Sequence, residues 1–96
     1  MPELHFHVRW PDGREQRCYS PSRTVKDFLA AGESYALDEF VGRSRSALEL
    51  ASERVRRRYG FACTSAAAQL EEIERAASAF AGGGDGARVT VVRFDE

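Results

Sequence analysis

The sequence predicts an α+β fold: a small, mostly antiparallel three-stranded sheet, with an antiparallel helix hairpin and a short extra helix on one face. Three observations lead there. Leu4 to Trp10 alternates apolar and polar residues, turns at Pro11-Asp12-Gly13 and returns through Arg14 to Ser20, the pattern of a β-hairpin. Residues 38–61 and 64–81 carry apolar positions at helical period on either side of Gly60. Residues 88–94 then close the chain with the β-favouring run Val89, Thr90, Val91, Val92 and Phe94. Helices gathered on one face of a sheet form a stable two-layer arrangement. Ninety-six residues supply one modest core, so residues 1–96 are expected to form a single domain.

The hairpin has a testable register. Pro11 presets φ at the first central turn position and Gly13 accepts the left-handed one. The loop then sets Trp10 opposite Arg14, Arg9 opposite Glu15, His7 opposite Arg17 and Phe6 opposite Cys18. Arg9 and Glu15 fall together as a favourable cross-strand pair. Leu4, Phe6, Val8, Trp10 and Cys18 share one face; His5, His7, Arg9, Glu15, Arg17 and Tyr19 share the other. After Ser20-Pro21-Ser22 a short helix is expected over Thr24–Ala31, capped by Thr24 with Asp27 in the acidic capping position and stopped by Gly32. A brief extended piece over Ser34–Leu37 leads to Asp38, the expected N-cap of the long helix.

That helix carries its stripe at Phe40, Val41, Ser44, Ala47, Leu48, Ala51, Val55 and Tyr59, and Gly60 ends it in the left-handed conformation with Phe61 folding back on Val55. Thr64 or Ser65 caps the next helix, whose stripe is Ala66, Ala67, Leu70, Ile73, Ala77 and Phe80. Its alanines suit close contact with a neighbouring helix, and the short connection makes the pair an antiparallel hairpin. Gly82-Gly83-Gly84-Asp85-Gly86 is a flexible return. The final strand does not alternate cleanly, so either of its faces could be the buried one.

Composition narrows the function classes. Fourteen basic side chains meet fifteen acidic ones for a net charge of −1, without the basic excess of a dedicated nucleic-acid binder. No apolar run reaches the roughly 18 residues of a membrane span, and Met1-Pro2-Glu3-Leu4-His5 has no basic or apolar segment of a signal peptide. A cytoplasmic location is expected, with Cys18 and Cys63 as free thiols rather than a disulfide.

No candidate site reaches a complete chemistry. His5 and His7 project from one strand face, but two imidazoles fall short of the three or four ligands a zinc site needs, and the register places Cys18 on the other face. They read as solvent-facing, with partner binding as the alternative. Cys63 precedes a helix N-terminus, where a thiolate is favoured. It has no histidine nearby in sequence to act as base, so it reads as a small apolar plug beside Phe61, with a reactive thiol as the alternative. Cys18 reads as buried filler. The arginines divide into Arg43 and Arg45 early in the long helix and Arg54, Arg56, Arg57 and Arg58 at its end, where they complement its negative end; they read as a solvated, internally neutralised face, with an anion or protein docking surface as the alternative. Glu53 pairs with Arg57 at helical spacing, and Glu71, Glu72 and Glu74 lie on the adjoining helix. The glycine run follows a helix and precedes a strand, the reverse of a phosphate loop. No metal or cofactor is implied.

Longer motifs carry a resemblance. Arg9-Trp10-Pro11-Asp12-Gly13, Cys18-Tyr19-Ser20-Pro21-Ser22 and Val25-Lys26-Asp27-Phe28 are followed by Arg43-Ser44-Arg45-Ser46-Ala47-Leu48. The last block continues through Ala51-Ser52-Glu53-Arg54-Val55-Arg56 to Tyr59-Gly60-Phe61-Ala62-Cys63. Together these resemble the small bacterial nitrogen starvation response proteins encoded beside a nitrilase, over nearly the whole chain and more weakly through Ala76–Gly86. Other genes of those clusters encode a radical SAM protein, an acetyltransferase, a relative of aminoimidazole ribonucleotide synthetase and a flavoprotein. The resemblance implies a role in nitrogen limitation or nitrile use and carries no catalytic position.

The leading expectation is a non-catalytic accessory protein that binds a protein partner encoded in the same gene cluster. Its docking surface is placed at Arg43, Arg45, Arg54, Arg57 and Arg58, or else on the hairpin face with His5, His7 and Tyr19. The alternative is a binder, or a minor enzyme, for a small anionic metabolite that uses Cys63 and nearby arginines; a nucleic-acid-binding regulator comes third. No membrane partner is expected, and self-association is left open.

Overall fold

The computed structural model describes residues 3–60, 64–80 and 87–95. The hairpin forms in the expected register. β1 (Leu4–Arg9) pairs antiparallel with β2 (Glu15–Ser20), with Arg9 opposite Glu15, His7 opposite Arg17 and Phe6 opposite Cys18. Gly13 at φ +90° closes the turn, donating its N–H to the Trp10 carbonyl at 2.9 Å, while the Trp10 N–H reaches the Arg14 carbonyl at 2.8 Å. Leu4, Phe6, Val8, Trp10 and Cys18 are all buried, as the alternation requires.

The sheet has four strands, not three. The extended piece forms β3 (Ser34–Ala36), antiparallel to the C-terminal strand β4 (Arg88–Asp95), and the order is β2-β1-β4-β3. Gly32 at φ +86° turns the chain so that its N–H meets the Val91 carbonyl at 2.7 Å, and Val91 in turn donates to Glu33 at 2.9 Å. Three residues are too few for alternation to announce a strand; pairing with β4 makes it one.

A bulge explains the irregular pattern of β4. Arg9 faces Thr90 and Val8 faces Val91, but His7 faces Arg93 and Phe6 faces Phe94. Val92 is the extra residue, and it lets Val91 and Phe94, three apart, share the core face. Val89 and Val91 are fully buried and Phe94 packs on the core with its ring 6.5 Å from that of Phe6.

The helical elements lie on that one face. The expected short helix is a 3-10 turn, Arg23–Asp27, capped by Ser22 rather than Thr24: the Ser22 hydroxyl accepts the Thr24 N–H at 3.2 Å. Helices of this tighter kind stay short, and these five residues bury Val25, with Leu29 buried just beyond them. α1 (Leu37–Tyr59) begins directly from β3, so Ala36 occupies the N-cap without a side-chain bond. Asp38 therefore lies inside the first turn, accepting the Glu39 N–H at 2.9 Å. Gly60, at φ +83°, ends α1 as expected and bonds the Arg56 carbonyl at 2.7 Å; Phe61 lies outside the described residues. α1 buries Phe40, Ser44, Ala47, Leu48, Ala51 and Val55, whereas Val41 is half-buried and Tyr59 exposed.

α2 (Thr64–Ser78) packs antiparallel to α1 and stops short of the expected Ala81. Its buried residues are Ala66, Gln69, Ile73 and Ala77, with Ala67 exposed and Leu70 half-buried. Gln69 takes the inward place because its side-chain oxygen accepts the Tyr19 N–H from the outer edge of β2 at 2.8 Å, which satisfies an edge donor that water would otherwise hold. No helix among the described residues is long and apolar enough to cross a membrane.

The bulge makes a prediction. Deleting Val92 leaves Val91 and Phe94 facing inward on a now regular strand, so the urea midpoint should move little. Deleting Thr90 turns Val89 out of the core and should cost about 2 kcal/mol or more, from the lost burial of that side chain alone.

Candidate functional site

The five arginines of the expected docking surface do not form one patch. Arg43 is built into the fold: Nε and Nη2 bond the Glu39 carboxylate, Nη1 donates to the Phe28 carbonyl at 2.9 Å, and its guanidinium lies 5.0 Å from the Tyr35 ring centre. It thereby caps the segment that leaves the 3-10 turn. Arg45 points the other way around α1 and pairs with Glu74 of α2, tying the helix hairpin together. Both are engaged within the fold, with 42% and 50% of their side chains still exposed.

Arg54, Arg57 and Arg58 remain together at the end of α1. Leu50, Arg54 and Arg57 stand at i, i+4 and i+7, one face of the helix. Residues 56–60 are exposed all round, so the last turn stands clear of the body. Glu53 serves two guanidinia, Arg56 at 3.0 Å and Arg57 at 3.4 Å. The Arg56 hydrogen bond, followed by the charges of Arg56 and Arg57, holds the Glu53 carboxyl below its usual range. Arg54 has no carboxylate partner among the described residues, and Arg58 lies 5.9 Å from the Tyr59 ring centre. Leu50 (39% exposed) and Tyr59 (50%) are the exposed large apolar side chains of the described chain. Sequence reasoning did not select these two, since both lie in or beside a helical stripe whose burial only packing could settle.

The open face of the sheet is internally paired. His5 meets Tyr19 edge-on at 5.6 Å between ring centres. His7, with only 13% of its side chain exposed, donates from Nε2 to the Asp95 carboxylate at 2.6 Å. That bond, with the charges of His7 and Arg93, lowers the Asp95 pKa. Among the described residues no three His, Cys, Asp or Glu side chains cluster as metal ligands. Cys18 is buried beneath α2; burial, with the charge of Glu72 adding to it, pushes its thiol up to about 12. Cys63 lies outside the described residues.

A cleft of about 440 Å³ opens where β2 and α2 diverge. Gln69 holds them together at Tyr19; toward the hairpin turn they separate, leaving Trp10 and Phe80 as a stacked wall with ring centres 6.0 Å apart. None of the expected site residues among the described ones lines it.

Two predictions follow from these environments. In a Cys63→Ser chain, Cys18 should stay silent to a thiol reagent at mildly alkaline pH and react in full on unfolding in urea; fast native labelling would contradict its burial. Asp12, Glu53 and Asp95 are each held below their ordinary carboxylate values in the folded chain, Asp12 by its bonds to Arg14. Their stabilisation is therefore whole above the unfolded range of 3.8 to 4.5 and is lost as pH falls through the lower folded values. Urea midpoints should drop on acidification, less steeply in Asp95→Asn.

No curated protein and no solved structure matches this chain. A family model described as nitrogen starvation-induced protein NitG matches residues 5–94, spanning both the hairpin and the arginine-rich helix end. The chain belongs to the nitrogen starvation-induced protein NitG family.

Proposed function

We propose that this chain is a non-catalytic accessory protein of the nitrogen starvation response. In this reading it docks onto one of the enzymes encoded with it in a nitrilase-centred gene cluster, through the exposed end of α1. The observation that carries the reading is a local charge imbalance in a chain of net charge −1. Of the four arginines there, Arg56 and Arg57 share the carboxylate of Glu53, while Arg54 and Arg58 have no carboxylate partner among the described residues. Part of that charge answers the negative end of the α1 dipole, which one or two cations would satisfy. The excess, flanked by Leu50 and Tyr59, has the composition of a protein interface, where arginine and aromatic groups are enriched. An acidic, partly apolar surface is the complement. Elsewhere the described imidazoles and most carboxylates are engaged pairwise, which favours a binding role over a reacting one.

The test is defined binding between purified proteins. The tagged chain should co-elute with one of the neighbouring gene products, with an affinity that falls as salt rises. Arg54→Glu combined with Arg57→Glu should weaken it ~100-fold while leaving the unfolding midpoint nearly unchanged. Failure to bind any of them at low salt would end this reading.

A further inference from the structure

The cleft between β2 and α2 has a donor-rich rim over an apolar wall. The indole N–H of Trp10 donates to Gln16 Oε1 at 2.9 Å. That bond occupies the amide oxygen and leaves the Gln16 NH₂ as the available group, two donors without an acceptor among the described residues. Arg14 and Glu15 already have partners, in Asp12 at 2.7 Å and Arg9 at 3.2 Å. Glu72 accepts from Gln69 at 3.3 Å, on the side of the cleft where β2 and α2 meet. Arg75, one turn further along α2, has no carboxylate partner among the described residues, and its guanidinium keeps its charge at any physiological pH. Below it Ala76, Ala79 and Phe80 present apolar surface, backed by the largely buried Trp10. A volume of about 440 Å³ falls within the range of small-molecule sites, which pair an apolar lining with a few placed polar groups.

We propose that this cleft binds a small carboxylic acid with a flat apolar body. The body lies along Phe80, Ala76 and Ala79 beside the Trp10 ring, and the carboxylate accepts from Arg75 and the Gln16 amide. An anion answers the donors; a neutral amide or an amine would leave Arg75 unmatched, and an amine would face a like charge. The site lies at the opposite end of the helix hairpin from the exposed arginines, and it stands or falls independently of docking there.

Trp10 is the one tryptophan of the chain, so its fluorescence reports on the cleft directly. Phenylacetate titrated into the full-length protein at constant ionic strength should give a saturable change. Phenylacetamide, the neutral counterpart, should bind ~10-fold or more weakly, as expected for loss of a charge-assisted hydrogen bond. Arg75→Gln should weaken phenylacetate by a similar factor, Ala79→Glu should abolish binding by placing a carboxylate in the cleft mouth, and Arg54→Gln should change nothing. Absence of a saturable signal, equal binding of acid and amide, or full affinity in Arg75→Gln would each overturn the proposal.

Discussion

The apolar face shared by the two central strands, β1 and β4, governs this structure. Leu4, Phe6, Val8, Val89 and Val91 are almost wholly withdrawn from water, and nothing on the sheet itself can cover them. α1 supplies Phe40, Ala47 and Leu48, α2 supplies Ile73, and the 3-10 turn supplies Val25 with Leu29 just beyond it. Each of these elements is held where it is by that common demand. At roughly 2 kcal/mol for each large side chain buried, the shared core outweighs any exposed ion pair on the molecule. The surface pairs choose among arrangements that the core has already made compact.

The small polar devices at the margins follow from the same covering. A helix laid on a sheet leaves backbone groups at the strand edges and helix ends in need of partners. Gln69 answers the Tyr19 N–H, Arg43 answers the Phe28 carbonyl, and the Ser20 hydroxyl bonds the Ser22 carbonyl at 2.7 Å where the chain leaves β2. Arg43 and Arg45 are thus structural clamps, one toward β3 and the 3-10 turn, the other toward α2. What remains at the end of α1 is charge that the fold does not absorb. What remains beside α2 is an opening whose walls the fold does hold rigid, since Trp10 also packs edge-on against Phe40 at 5.6 Å.

Much of this was legible in the residues. The hairpin register came from a turn of fixed length and an alternation that permits one pairing, so the partners of β1 and β2 within the hairpin were recoverable. The long helix and its stop at Gly60 came from period and a glycine with a left-handed role. The arginines were visible as two groups, Arg43 and Arg45 early in the long helix and Arg54, Arg56, Arg57 and Arg58 at its end, but the partners of the first two were not. Those depend on which carboxylates and carbonyls lie within reach across the fold: Glu74, 29 positions from Arg45, and Phe28, 15 from Arg43. The cleft left no signal at all, because Trp10, Gln16, Arg75 and Phe80 read individually as ordinary strand and helix residues.

By itself the sequence determined the local elements whose cause is local: the β1–β2 register, the long helix with its stop at Gly60 and the inward set Leu4, Phe6, Val8, Trp10 and Cys18. Tertiary structure alone decided the rest. It made residues 34–36 a fourth strand, because a three-residue strand exists only through its partner. It chose the buried face of β4, because the bulge at Val92 shows only when β4 is set against β1. It turned Gln69 inward over Ala67, because a polar side chain is buried where a distant backbone donor needs it. Local bonding is written in neighbouring residues; pairing across the fold is written in the geometry that brings remote ones together.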